Sequence, residues 1–204
     1  MTVTVTTAKS GRINVFADGE YRFTVPSDVW FSHPFHDGGE ITEEELLTLK
    51  TAGGFFLAYE SAMRMLGLRA HSKKELERKL RMKYDEDETS AAIEKCEKYG
   101  FLNDAYFARE LARELYERKL YAPARIKSEL RLRGVSAEDA ENALQSLDEL
   151  DTSADEVLNG AVAKLRLPDE PTEKDIARAY RRLLTLGYGY SDIKKALSLR
   201  REDN

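Results

Sequence analysis

A single cysteine, Cys96, leaves the chain no intramolecular disulfide. It falls in a helical pattern with Ile93 and Tyr99, which predicts a buried, unreactive thiol. Histidine is scarce as well: His33, His36 and His71 are the whole supply, and none sits in a nucleophile motif. The chain contains no G-x-x-x-x-G-K-[ST], no G-x-G-x-x-G and no H-E-x-x-H. His33-Pro-Phe-His36 stands beside Asp37 but lacks further ligands, and the acidic run Asp85–Glu88 lacks EF-hand spacing, so no metal site is expected. That run joins two helices, with Glu88 as a candidate cap. No apolar run approaches the roughly 20 residues of a membrane span. The opening MTVTVTTAKSGR lacks the apolar core of a signal peptide. These absences predict a cytoplasmic binding protein with no catalytic residues, no cofactor and no membrane partner.

Charge is what the chain has in excess. Charged residues make up 34% and hydrophobic ones 42%, against a usual charged share of about a quarter. A small core spread along an elongated shape produces that balance. The net charge of −5 argues against an indiscriminate duplex-DNA binder. The charge is segregated, however. Residues 69–83, 118–133 and 174–182 carry +5, +5 and +3, so the remainder carries −18.

Residues 1–40 alternate β-branched or aromatic residues with polar ones, in TVTVTT and INVFADGEYRFTV. Asp18-Gly19 between such runs predicts a small antiparallel β-hairpin, followed by an irregular stretch through Pro34 and Gly38-Gly39. From Ile41 the period becomes helical. Capping pairs Thr42/Glu45, Ser72/Glu75, Ser136/Asp139 and Thr172/Asp175 mark helix starts. Gly53-Gly54, Gly67, Gly100, Gly134 and Gly187 mark breaks. Helices are expected near 42–50, 55–67, 72–83, 88–99, 104–119, 122–133, 137–147, 152–166, 172–185 and 190–200.

Overlaying the basic windows exposes a repeat. Leu76 falls on Ile126 and Ala179, Leu80 on Leu130 and Leu183, and Gly134 on Gly187, with Tyr84 at the first copy's position. Beyond the glycine, Ala140 meets Ile193 and Leu144 meets Leu197. The expected fold is mainly α, an elongated tandem of three three-helix modules with an N-terminal β-hairpin extension. The extension and a first helix take residues 1–54, and the modules take 55–102, 103–150 and 151–204. Each module has a long first helix, a basic second helix and a more acidic third. A lone helix pair cannot bury its apolar stripe, so the modules require neighbours.

The second helices supply the candidate contacts. Lys74, Arg78 and Arg81 lie opposite Leu76 and Leu80. Arg131 lies opposite Ile126 and Leu130, with Arg125 and Lys127 on the flanks, and Arg178 and Arg181 lie away from Ala179 and Leu183. Arg69 precedes the cap Ser72 and either joins this surface or pairs with acids of its own module. One such face is ordinary solvated charge. Its recurrence points to an anionic or charge-complementary partner, and guanidiniums suit bidentate pairing. Gly100-Phe-Leu-Asn-Asp104 joins two modules, with Asn103 or Asp104 as cap and Phe101, Leu102 and Phe107 as packing residues. Pro123 sits in a first helical turn, where its missing N–H costs nothing.

These segments resemble the RecX family. Arg69-Ala-His-Ser-Lys-Lys-Glu-Leu-Glu-Arg-Lys-Leu80 is similar to the family's R-x-[HR]-S-x-x-E-L-x-x-K-L. Gly100–Asp104 with Phe107 resembles its G-[YFL]-L-[DN]-D-x-x-[FY] junction, and Ala122-Pro-Ala-Arg-Ile-Lys-Ser-Glu-Leu130 through Gly134-Val135 resembles G-P-x-[RK]-I-x-x-E-L-x-x-[KR]-G-[IV]. Leu183–Tyr188 with Ile193 resembles the last module. Ala122 departs from the family's usual glycine and Leu186 from a frequent basic residue. The resemblance implies an elongated, curved array lodged in the groove of the RecA–single-stranded DNA filament; the modular helical pattern itself predicts a monomer. The resemblance also implies restraint of ATP hydrolysis and strand exchange and altered filament growth or disassembly, and weak single- or double-stranded DNA binding is a further expectation. The competing reading is a DNA-binding regulator of helix-turn-helix-like units, which the −18 balance elsewhere and the scarcity of base-reading side chains disfavour. An enzyme using Asp85–Glu88 is the reading from a third class; metal-dependent turnover would favour it.

Overall fold

The computed structural model describes residues 1–202; residues 203 and 204 of the third expected module lie outside them. The chain forms two compact units, Met1–Asn103 and a second beginning at Asp104. The first opens with an antiparallel meander of β1 (Val3–Ala8), β2 (Arg12–Ala17) and β3 (Glu20–Pro26), in the order β1-β2-β3. Asp18 and Gly19 have φ of +50° and +81°, the paired left-handed values of a two-residue hairpin turn. The sheet exceeds the expected single hairpin by one strand, because Ser10 (φ +65°) and Gly11 (φ +67°) turn the chain between β1 and β2. Val3, Ile13, Val15, Ala17 and Val25 bury one face. Period-2 alternation puts their polar neighbours on the other. A short helix, α1 (Ser27–Phe31), and the start of α2 cover the buried face through Val29, Trp30, Leu46 and Leu49.

Helix α2 (Glu43–Leu68) overturns the expected break at Gly53-Gly54. It runs through both glycines and through Gly67, so residues 42–50 and 55–67 are one helix and the 54/55 boundary falls inside it. The cause is close approach. A Cβ on Gly53 would overlap Val25 of β3, and a Cβ on Gly54 would overlap the Glu88 side chain. These glycines let a sheet and a second helix reach the α2 backbone, and they sit where helix propensity alone would place alanine. Thr42 opens α2 with a reciprocal capping box, its hydroxyl accepting from Glu45 N and Glu45 accepting from Thr42 N at 2.8 Å.

Beyond the middle of α2, three helices share one core. Helices α3 (Lys73–Leu80) and α4 (Glu86–Lys98) pack on α2 around Ala58, Ala62, Leu76, Leu80, Ile93 and Cys96. Burial raises the Cys96 thiol pKa, as expected of an unreactive sulfur. Asp85 caps α4 and Glu88 returns to it, so the cap is Asp85 and not Glu88. The second unit holds two such cores. Helices α5 (Asp104–Glu117), α6 (Pro123–Leu132) and α7 (Ala137–Gln145) pack around Phe107, Ala112, Ile126, Leu130 and Ala140. Helices α8 (Ala154–Ala163), α9 (Glu173–Thr185) and α10 (Tyr190–Glu202) pack around Leu158, Val162, Ala179, Leu183 and Ile193.

The overlaid core residues of the second helices coincide in burial, whereas beyond them Leu144 is half-buried and its counterpart Leu197 buried. Leu76, Leu80, Ile126, Leu130 and Leu183 are fully inaccessible and Ala179 nearly so. Helices α4, α6 and α9 end alike: Gly100, Gly134 and Gly187 have positive φ, and the following N–H reaches back five residues, to Cys96, Leu130 and Leu183. Leu102 and Phe107 are buried as expected, whereas Phe101 is exposed. Leu76→Ala and Leu130→Ala should each lower stability by about 2–5 kcal/mol, read from urea unfolding. An unchanged midpoint in either variant would contradict the shared packing role.

Candidate functional site

Each second helix starts from its own cap. Ser72 Oγ accepts from Glu75 N at 3.2 Å, Pro123 opens α6 in its first turn, and Thr172 forms a reciprocal box with Asp175. Helical rotation then fixes which side chains leave the core.

On α3, Lys74 and Arg78 are exposed and have no carboxylate partner among the described residues. Arg69 and Arg81 are committed to their own module. Arg69 Nη1 donates to Glu75 Oε2 at 3.1 Å and to the Ala70 carbonyl at 2.7 Å. Arg81 Nη2 bridges Glu77 and Glu86, each at 2.9 Å.

On α6 the flanking cations are also committed. Arg125 pairs with Glu129 at 2.7 Å and lies 5.8 Å from the Tyr121 ring, and Lys127 pairs with Glu141 on α7. Arg131 is exposed and has no carboxylate among the described residues. On α9, Arg178 pairs with Asp175 at 2.9 Å, while Arg181 donates to its own helix, to Ala177 O at 3.3 Å, and meets no carboxylate among the described residues. Such exposed pairs contribute about 0–1 kcal/mol each, so a stronger partner can recruit these cations.

Positive charge therefore recurs by window and not by position. In the overlay Arg78 matches Ser128 and Arg181, and Arg81 matches Arg131 and Leu184. The outer face of α6 is mostly uncharged, built from Ala124, Ser128 and Leu132 beside Arg131. Met82 and Leu132 are 80% and 77% exposed at matching positions, each following an arginine. The charge count concealed this repeated apolar knob, although the residue alignment contains it.

His71 is buried behind α3. Lys79 Nζ, which can only donate, lies 2.8 Å from its Nε2, so Nε2 accepts and Nδ1 carries the proton that goes to Arg69 O at 3.0 Å. Burial, then the charges of Arg69 and Lys79, hold its pKa below the ordinary 6.5, against an opposing pull from the Arg69 carbonyl bond. The unfolded chain thus takes up this proton first, so stability present above about pH 6.5 falls as the pH drops below it. His71→Gln should flatten that acid limb in urea titrations at several pH values. An identical acid limb in the variant would remove His71 from the account.

The second unit is laced together at the α6 start. Ala122 N donates to Leu186 O at 2.9 Å, and the Tyr188 hydroxyl donates to Leu120 O at 2.9 Å. Burial pushes the Tyr188 phenol up to about 12, so it stays a donor. Elsewhere, His33 lies 2.7 Å from Val29 O and Asp37 accepts from Val5 N, tying the loop to the sheet. Among the described residues no group of three or more His, Cys, Asp or Glu is placed to hold a metal. No helix among them is long and apolar enough to cross a membrane.

Comparison with known proteins matches both units. A model of the first three-helix domain of RecX matches residues 58–96, and one of the second three-helix domain matches residues 103–144. The regulatory protein RecX of Caldanaerobacter subterraneus subsp. tengcongensis is 31% identical over 195 residues, 94% of each chain. That of Clostridium beijerinckii is 30% identical over 181 residues, 87% of this chain and 84% of its own. A crystal structure of a regulatory protein RecX covers 97% of this chain and 98% of its own at a TM-score of 0.67 and 21% identity. That of RecX from Lactobacillus salivarius covers 74% of this chain at a TM-score of 0.60 and 25% identity.

Proposed function

This chain belongs to the RecX family of regulatory proteins, and from that premise we propose that it binds the RecA–single-stranded DNA filament and restrains it. The observation that carries the proposal is the 31% identity to a regulatory protein RecX across 94% of both chains. It acts by occupancy and without chemistry of its own. A monomer in the cytoplasm lodges in the filament groove, and its three modules, near 55–102, 103–150 and 151–204, meet successive protomers. Bound there it slows ATP hydrolysis, strand exchange and filament growth.

Charge commitment supports a division of labour among the second helices. Lys74, Arg78, Arg131 and Arg181 hold no carboxylate among the described residues, so they meet the filament with least loss of existing pairs. Arg69, Arg81, Arg125, Lys127 and Arg178 must first leave Glu75, Glu77 and Glu86, Glu129, Glu141 and Asp175. They form the rim of the contact. A helix-turn-helix reading gains nothing from α6, whose outer face offers one free arginine beside alanine, serine and leucine.

Sedimentation of RecA filaments on single-stranded DNA with this protein tests the binding step. Co-sedimentation that weakens as salt rises is the expected outcome, since exposed charges are screened. Protein that stays in the supernatant at low salt would sink the proposal.

A further inference from the structure

Three cations line one aromatic-walled groove in the first unit, and none is within ion-pair distance of a carboxylate among the described residues. The groove encloses about 450 Å³, and Arg12, Phe56, Tyr59, Glu60, Arg64 and Lys95 line it. Lys95 Nζ on α4 lies 4.4 Å from the Tyr59 ring centre and 5.2 Å from that of Phe55, both on α2. Those two rings stack at 6.3 Å with planes 21° apart. Arg64 reaches Ser61 Oγ at 3.4 Å, and that oxygen is itself fixed by the Tyr84 hydroxyl at 2.7 Å. Arg12 is an exposed residue at the start of β2.

We infer that this groove binds single-stranded nucleic acid, with the phosphates on Arg12, Arg64 and Lys95 and a base against the Tyr59 wall. The chain carries 37 acids against 32 lysines and arginines, and the committed cations of the second helices show how readily they pair. Three uncommitted cations against the single carboxylate of Glu60 are therefore a local excess. A positively charged groove with aromatic faces is the chemistry that holds single strands, phosphate by charge and base by stacking. Guanidiniums add bidentate geometry to the phosphate contacts. The volume suits a ligand of nucleotide size. An acidic peptide would use the cations but leave the aromatic wall idle. Lys95, drawn to a phosphate, uncovers the ring face for the base. Arg12 gives the N-terminal sheet a role in binding that the three-helix modules lack.

The test needs no RecA, so its outcome is separable from that of the filament proposal. Fluorescence anisotropy of a labelled oligothymidylate, titrated with the full chain at several salt concentrations, gives affinity and salt slope. The double variant Arg12→Ala/Arg64→Ala should weaken binding about tenfold or more and make the slope shallower by about 1.4, at roughly 0.7 per lost phosphate contact on a single strand. Both residues are exposed, so thermal unfolding should match wild type, and Arg64→Gln, which keeps a donor to Ser61, should show about half the slope change. An abasic strand should bind at least about fivefold more weakly than oligothymidylate. Unchanged affinity and slope in the double variant would overturn the assignment. So would a polyglutamate that competes as well as the oligonucleotide, since it would mark the groove as a peptide site.

Discussion

Gly187→Ala should destabilise the second unit by about 2–5 kcal/mol, whereas Gly100→Ala should cost only about 1–2 kcal/mol. Both glycines close a helix in the left-handed region, at φ +94° and +73°. An L side chain pays the same conformational penalty at each. The difference is space. A Cβ on Gly100 meets nothing within 4 Å among the described residues. One on Gly187 would stand 2.6 Å from Arg125 Cβ and 3.0 Å from Arg125 N, so backbone must move. That movement strikes the seam where Ala122 N meets Leu186 O and the Tyr188 hydroxyl meets Leu120 O. Equal losses for the two variants in urea unfolding would show that the seam carries no packing energy.

Arg78→Glu combined with Arg131→Glu should raise the concentration needed for half-inhibition of RecA by roughly a hundredfold at low salt. Each reversal replaces attraction with like-charge repulsion at a partly desolvated contact. About 1.4 kcal/mol per site is tenfold. The residues lie in different compact units and share no partner among the described residues, so the effects should add. The fold should survive, because neither arginine holds a carboxylate among the described residues. Lys127→Ala makes the contrast: Lys127 is half-buried and paired with Glu141, and its loss should shift inhibition by less than about threefold. A double variant as potent as wild type would leave the charged faces as solvated surface and move recognition elsewhere, to the acidic helices or the sheet.

The repeat was legible because burial is periodic. Leu76, Ile126 and Ala179 share one packing slot, and the caps at Thr42, Ser72, Ser136 and Thr172 fall where hydroxyl-to-acid spacing places them. The continuity of α2 was not legible. A Gly-Gly pair reads as a break on local propensity, and only the tertiary approach of Val25 and Glu88 shows why a helix keeps it. The second-helix surface was half legible. Outward direction follows from helical rotation, but whether a cation is already held by a carboxylate depends on neighbours such as Glu86 and Glu141 in the next helix. The groove of Arg12, Tyr59 and Lys95 joins residues from β2, α2 and α4, and no window of sequence brings those together.

ATP hydrolysis by RecA on single-stranded DNA, followed as this protein is added, tests the filament proposal most directly. Hydrolysis should fall with added protein at low salt and recover as salt rises, and the Arg78→Glu/Arg131→Glu variant should leave it nearly untouched. Hydrolysis that stays constant across the titration, at low salt and with the protein folded, would contradict it.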